Sequence, residues 1–156
     1  MAATADLERR IVTTDPAATR DLAARLAAVA RPGDVILLVG DLGAGKTVFA
    51  KGFGAGLGVV GTINSPSFIL MAEYEGRLPL FHLDLYRLAD AAEALAGGLL
   101  DERQGEGVTL IEWAERLRDV LPAARLEVII EGTGDAPRTI TLRTTDERYR
   151  RFLEAA

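Results

Sequence analysis

The chain has 156 residues, a formal net charge of −5 and 49% hydrophobic composition, enough for one packed core but short for two independently stable domains. The acidic balance excludes a broad cationic surface for nucleic acid, because such binding rests on many lysine and arginine contacts to phosphates. No apolar run approaches the roughly 20 residues of a membrane span, no signal peptide is expected, and the absence of cysteine excludes disulfides and thiolate metal sites, leaving a reducing cytoplasm as the default location.

In chain order, LERRIVTTDP predicts a strand near Arg9–Thr13, then a helix capped by Asp15 with Pro16 in its first turn and Leu22, Leu26 and Val29 on its buried stripe. RPGDVILLVG is a turn leading into a strand at Val35–Val39, whose lack of polar alternation implies burial on both faces. A glycine loop follows at once, and after it Phe49, Phe53 and Leu57 recur at helical spacing. Each glycine from Gly52 to Gly58 would cost that helix about 1 kcal/mol relative to alanine, so these residues imply close packing or an early helix end.

INSPSF is a polar turn containing Pro66, and FILMAEYEGRLPLFHLDLYRL predicts two strands joined as a hairpin near Glu75–Arg77. ADAAEALAGGLLDE reads as a short helix broken by Gly97 and Gly98, and GVTLIEWAERLRDVLP as a buried strand that becomes a helix at Glu112 and Trp113. Strands at Leu126–Glu131 and Arg138–Arg143 flank the turn GTGDAP, and DERYRRFLEAA closes the chain as an amphipathic helix. The pattern predicts a single α/β domain with a mixed central sheet and helices on both faces.

The residues Gly40-Asp41-Leu42-Gly43-Ala44-Gly45-Lys46-Thr47 satisfy G-x-x-x-x-G-K-[ST] at every defined position. Such a loop wraps a β-phosphate in backbone N–H groups, which requires small residues for close approach and unusual dihedrals. The positive end of the following helix dipole falls at the same point. Lys46 would then bridge the β- and γ-phosphates and the Thr47 hydroxyl would hold Mg²⁺. A chance glycine turn would not need a buried strand before it and an amphipathic helix after it, and both are present, so the fold class expected is P-loop NTPase-like.

A Mg-nucleotide site also needs carboxylates at the ends of neighbouring strands. Glu112 follows VTLI, and Asp84 interrupts the apolar run of LFHLDLYR; the plain alternative for each is a strand-end carboxylate that pairs with an arginine or caps a helix. His82, the single histidine, reads as a half-buried strand residue on the same face as Asp84, and a metal site there is improbable without other His or Cys ligands. Trp113, the single tryptophan, reads as a packing residue whose place beside Glu112 allows base or partner contact. No N-K-x-D motif for guanine is present, since Asn64 is the only asparagine and no lysine follows it. A small-molecule kinase stays open, although the chain is short for a lid and an acceptor pocket, and so does a nucleotide-gated binding module with little hydrolysis, in which ATP orders the loop around Ser67.

GDLGAGKT, SPSF, HLDLYRL and IEWAER, in this order and at these separations, resemble the TsaE (YjeE) family of bacterial P-loop ATPases of tRNA threonylcarbamoyladenosine biosynthesis. The resemblance implies an ATP- and Mg²⁺-dependent accessory ATPase. Its implied partners are the TsaD-type and TsaB-type subunits of the threonylcarbamoyl transferase complex, with tRNA contacted indirectly and neither DNA nor membrane involved. It further implies that Asp41 to Val48 surround the phosphates with Lys46 as the key cation, and that Thr47 and Glu112 hold Mg²⁺. Asp84 matches the aspartate of H-x-D-x-Y-R, a catalytic or water-orienting group; Trp113 matches a tryptophan near the nucleotide or interface; and Ser67 belongs to a switch-like segment beside the γ-phosphate. Thr13 and Thr14 are implied to pass near the adenine.

Two positions depart from the family pattern. Val48 replaces the second hydroxyl residue common after the Mg²⁺ threonine, which removes a side-chain hydrogen bond to the α-phosphate, and Ser67 replaces a threonine but keeps the hydroxyl. The C-terminal arginines Arg148, Arg150 and Arg151 could touch tRNA or a partner, but a solvated helix face is the better reading for a net acidic chain.

Overall fold

The computed structural model describes residues 7–41, 44–61, 71–84, 105–112 and 124–156. The SPSF segment with Ser67, the helix read over 89–102, Trp113 with the helix after it, and the loop residues Leu42 and Gly43 lie outside the described residues. Seven strands form one sheet: β1 (Leu7–Thr13), β2 (Val35–Val39), β3 (Met71–Tyr74), β4 (Leu80–Asp84), β5 (Val108–Glu112), β6 (Leu126–Glu131) and β7 (Arg138–Thr144). Their spatial order is β1-β7-β6-β2-β5-β4-β3. The central β6-β2-β5-β4 block is parallel, while β3 pairs antiparallel with β4 and the β1-β7-β6 edge is antiparallel throughout. This is the mixed sheet expected, and its parallel centre explains why β2 reads as an unbroken apolar run and β5 is buried along its whole length.

Helix α1 (Pro16–Ala28) starts where Asp15 accepts a 2.8 Å hydrogen bond from the Ala18 amide, with Pro16 just inside the first turn. At its other end the Arg77 guanidinium, from the β3–β4 turn, donates to the carbonyls of Ala27 and Ala30, adding to the Ala30 amide that already bonds the Ala27 carbonyl at 3.1 Å. Leu22 and Leu26 of α1 join Phe49 and Phe53 of α2 (Lys46–Gly56) over Ile36, Leu38, Leu110, Val128 and Leu142 of the sheet in one core. Leu37, Leu83 and Ile111, on the opposite sheet face, are fully buried too, so both faces of the sheet centre are shielded from water.

Glycines in α2 serve the crossing with α1. A Cβ at Gly52 would lie 2.5 Å from the Arg20 carbonyl oxygen and 2.6 Å from its Cα, and one at Gly56 would lie 2.7 Å from the Ala24 Cα. Backbone therefore touches backbone, at two points one helical turn apart.

The chain ends in a 3₁₀ turn (Glu147–Tyr149) and the short helix α3 (Arg150–Ala155). Arg148 and Arg150 are exposed, but the expectation of a solvated face fails for Arg151. Its guanidinium pairs with buried Asp34, donates to the Val29 carbonyl at 2.9 Å, and stacks over Phe152 at 4.7 Å. No helix among the described residues is long and apolar enough to cross a membrane.

Candidate nucleotide-binding site

Strands β2, β4 and β5 run parallel and end at one edge of the sheet, the edge where open α/β sheets bind ligands. β2 leads there into Gly40, where an added Cβ would sit 2.6 Å from the Ile130 carbonyl oxygen. Glycine lets the loop leave the sheet tight against β6. The Ala44 amide donates to the Asp41 carbonyl at 3.0 Å, and Gly45 then opens α2 from the left-handed region, with φ of 111°. Among the described residues an added Cβ at Gly45 meets no atom within 4 Å, so what glycine supplies here is the dihedral.

The Phe49 amide is the first to close a helical bond, to Gly45 at 2.9 Å, and no side chain caps this end among the described residues. The helix therefore presents the amides of its first turn toward the loop, as an anion site requires. Lys46 is buried and its Nζ donates to the Gly40 carbonyl at 2.7 Å, which keeps the ammonium folded inside the loop. Thr47 follows it in the first turn and is partly exposed.

Glu112 closes β5 with its carboxylate buried, and in register it stands between Leu38 of β2 and Asp84 of β4. The two strand-end carboxyl residues named from sequence are thus direct neighbours beside the strand that launches the loop. Glu112 neither pairs with an arginine nor caps a helix among the described residues: its Oε2 lies 2.7 Å from His82 Nε2. The sequence reading of His82 as half-buried is corrected, since the ring is fully inside.

On the other side of the loop lies a cavity of about 240 Å³, walled by Thr13 and Thr14 from the end of β1 and by Ala44, Gly45 and Val48 from the loop and α2. The Thr13 hydroxyl is bonded to that of Thr19 at 2.7 Å, which ties the end of β1 to α1. Arg138, at the start of β7, completes the wall. Its Nε donates to the Ala44 carbonyl at 2.8 Å and its Nη2 to the Gly134 carbonyl at 3.0 Å. One guanidinium so fastens the phosphate-type loop to the 134–136 turn. Sequence reading missed both Arg138 and this turn; the GTGDAP segment was visible only as a connection between strands.

The sequence profile described as "Threonylcarbamoyl adenosine biosynthesis protein TsaE" matches residues 13–140. The chain belongs to the TsaE family. A relative from Bacillus subtilis (strain 168), tRNA threonylcarbamoyladenosine biosynthesis protein TsaE, is 46% identical over 143 residues, covering 91% of this chain and 89% of its own. The protein of the same name from Treponema pallidum (strain Nichols) is 43% identical over 110 residues, covering 70% of this chain and 82% of its own. The crystal structure of Bacillus subtilis YdiB superposes with a TM-score of 0.80 at 39% identity, covering 96% of this chain and 94% of that one. The fold of this TsaE-family chain is therefore the P-loop NTPase-like α/β architecture. The matched span begins at Thr13 and ends at Ile140, so it takes in the cavity wall, the loop, both strand-end carboxyl residues and Arg138.

Proposed function

We propose that this chain binds Mg-ATP and hydrolyses it as an accessory ATPase of tRNA threonylcarbamoyladenosine formation. It would work in the cytoplasm on the TsaD-type and TsaB-type subunits of the transferase complex and meet tRNA through them. The observation that carries the reading is the junction of β2, loop and α2, with buried Lys46 inside the loop and Glu112 at the neighbouring strand end. The amides of Gly45 to Val48 and the Lys46 ammonium would take the phosphates, with Asp41, Leu42, Gly43 and Ala44 shaping the rest of the loop. Thr13, Thr14 and Val48 would border the base or sugar, since they line the cavity that opens beside Gly45.

The donor set suits Mg²⁺. Thr47 offers a hydroxyl and Glu112 a carboxylate whose Oε1 is not engaged by His82, and this hard cation is commonly held by one or two such oxygens together with phosphate oxygens and water. When bound, Mg²⁺ would neutralise charge that builds on the phosphate oxygens. In hydrolysis the water oxygen bonds to the γ-phosphorus as the bond to the β–γ bridging oxygen breaks, giving ADP and inorganic phosphate. Asp84 would orient that water and accept its proton, Ser67 would lie beside the γ-phosphate, and Trp113 would contact the nucleotide or a partner.

Calorimetric titration with Mg-ATP is expected to show Lys46→Ala binding roughly 10- to 100-fold more weakly than wild type, the scale of a lost hydrogen bond to a charged group. Hydrolysis by the wild type is expected to be slow alone and to rise when the transferase complex is added. Unchanged affinity in Lys46→Ala would sink the phosphate-loop assignment. Fast hydrolysis indifferent to the complex would remove the accessory role, and phosphate recovered on a small-molecule acceptor would replace the ATPase with a kinase.

A further inference from the structure

Glu112 and His82 face each other inside the protein, at 2.7 Å, with side-chain exposures of 4% and 0%. A buried polar pair of this kind is not explained by stability, because apolar residues of similar volume commonly hold a core as well or better. β4 itself shows the alternative: two residues earlier on the same sheet face it uses Leu80, fully buried in the main core. At the next position on that face, diagonal to the strand-end carboxylate and within hydrogen-bond reach of it, β4 uses an imidazole instead.

We propose that His82 is a positioning residue that holds the Glu112 carboxylate in the orientation needed to receive Mg²⁺. The inference rests on the proposed role of Glu112 as a metal ligand. Carboxylates that hold metals are themselves commonly fixed by a hydrogen bond from a neighbouring group, and that partner matters nearly as much as the ligand. With its proton on Nε2 the ring donates to Glu112 Oε2, which anchors one carboxylate oxygen and leaves Oε1 for the cation. Nδ1 is buried and has no hydrogen-bond partner among the described residues. An ionised carboxylate only accepts, so in this contact the ring is the donor.

The test is the Mg²⁺ dependence of ATP binding, measured by calorimetry across a Mg²⁺ series and again in EDTA. The variants are His82→Leu, His82→Gln, His82→Asn and Glu112→Gln. Glu112→Gln and His82→Leu are both expected to raise the Mg²⁺ midpoint, His82→Leu by about 10- to 100-fold, and the loss in His82→Leu is expected to disappear in EDTA. His82→Gln, whose amide nitrogen reaches as far as Nε2, is expected to recover most of the loss; His82→Asn, one bond shorter, is not. That pair decides the matter even if the leucine variant does not fold. A wild-type midpoint in His82→Leu or His82→Asn beside a raised one in Glu112→Gln overturns the positioning role alone. A wild-type midpoint in Glu112→Gln overturns the metal role of Glu112 and this inference with it. Equal losses with and without Mg²⁺ in the His82 variants would show that the ring supports the nucleotide pocket rather than the carboxylate.

Discussion

Val48 is a small residue-scale departure with a measurable consequence. Its side chain lines the cavity beside Gly45, one residue after the proposed Mg²⁺ threonine, in a first helical turn where a hydroxyl could donate to an α-phosphate oxygen. Val48→Thr keeps the branched shape and adds that donor. Mg-ATP affinity by calorimetry is expected to rise roughly 2- to 10-fold, the value of one net hydrogen bond of about 0.5–1.5 kcal/mol. Unchanged or weaker binding would mean that this wall of the cavity does not meet the triphosphate. Loop residues such as Lys46 were legible in sequence because their chemistry is local: glycine, lysine and threonine act within one turn. Arg138 was not, because its partner Ala44 lies 94 residues away and is brought close only by the order of β7, β6 and β2. His82 was half-legible. Strand alternation placed it on the right face, but its partner is a diagonal neighbour on β5: the register sets Leu110 opposite His82, and the side chain of Glu112, two residues on, reaches back to the ring.

Among the elements, α1 and α2 pack backbone against backbone, and glycine is what permits it. Gly52→Ala should help an isolated helix by about 1 kcal/mol. In place, the new Cβ would press on the Cα and carbonyl oxygen of Arg20, backbone atoms that cannot swing aside. The helices must separate, and overpacking of this kind costs about 1–3 kcal/mol. Urea unfolding is therefore expected to show net destabilisation of Gly52→Ala, with Lys51→Ala, on the exposed face one residue earlier, as the neutral control. A Gly52→Ala variant as stable as wild type would mean that the two helices sit further apart. Sequence reading saw that these glycines disfavour a helix and inferred close packing or an early end. It had no means of naming Arg20 and Ala24 as the neighbours, since helix pairing is decided by where the sheet places each crossover. Strand identity, by contrast, was written plainly in the apolar runs at Val35, Val108 and Leu126, and the Asp15-Pro16 cap marked the start of α1.

Across the whole molecule, β2 is held at both ends. Its carboxyl end launches the loop, while at its start the Val35 amide donates to the Tyr149 hydroxyl at 3.0 Å and Asp34 is clamped by Arg151. The C-terminal segment thus anchors the strand on which the site is built, with Phe152 and Leu153 sealed into the same core as α1 and α2. This bears on the two roles open to the C-terminal arginines. Arg151 has its charge spent inside the protein, whereas Arg148 and Arg150 are exposed and, among the described residues, pair with nearby Asp146 and Glu147. Arg151→Ala strands the buried Asp34 carboxylate and should cost about 3 kcal/mol, since breaking such a pair leaves an uncompensated charge. The thermal midpoint is expected to fall by several degrees, with Mg-ATP affinity unchanged at temperatures where the variant is folded. Arg148→Ala combined with Arg150→Ala is expected to leave the midpoint where it is. If Arg151→Ala kept its full stability yet lost binding to tRNA or to the transferase complex, the clamp would be incidental and the C-terminal helix a docking element. The position of Arg151 between Asp34, Val29 and Phe152 argues for the anchor.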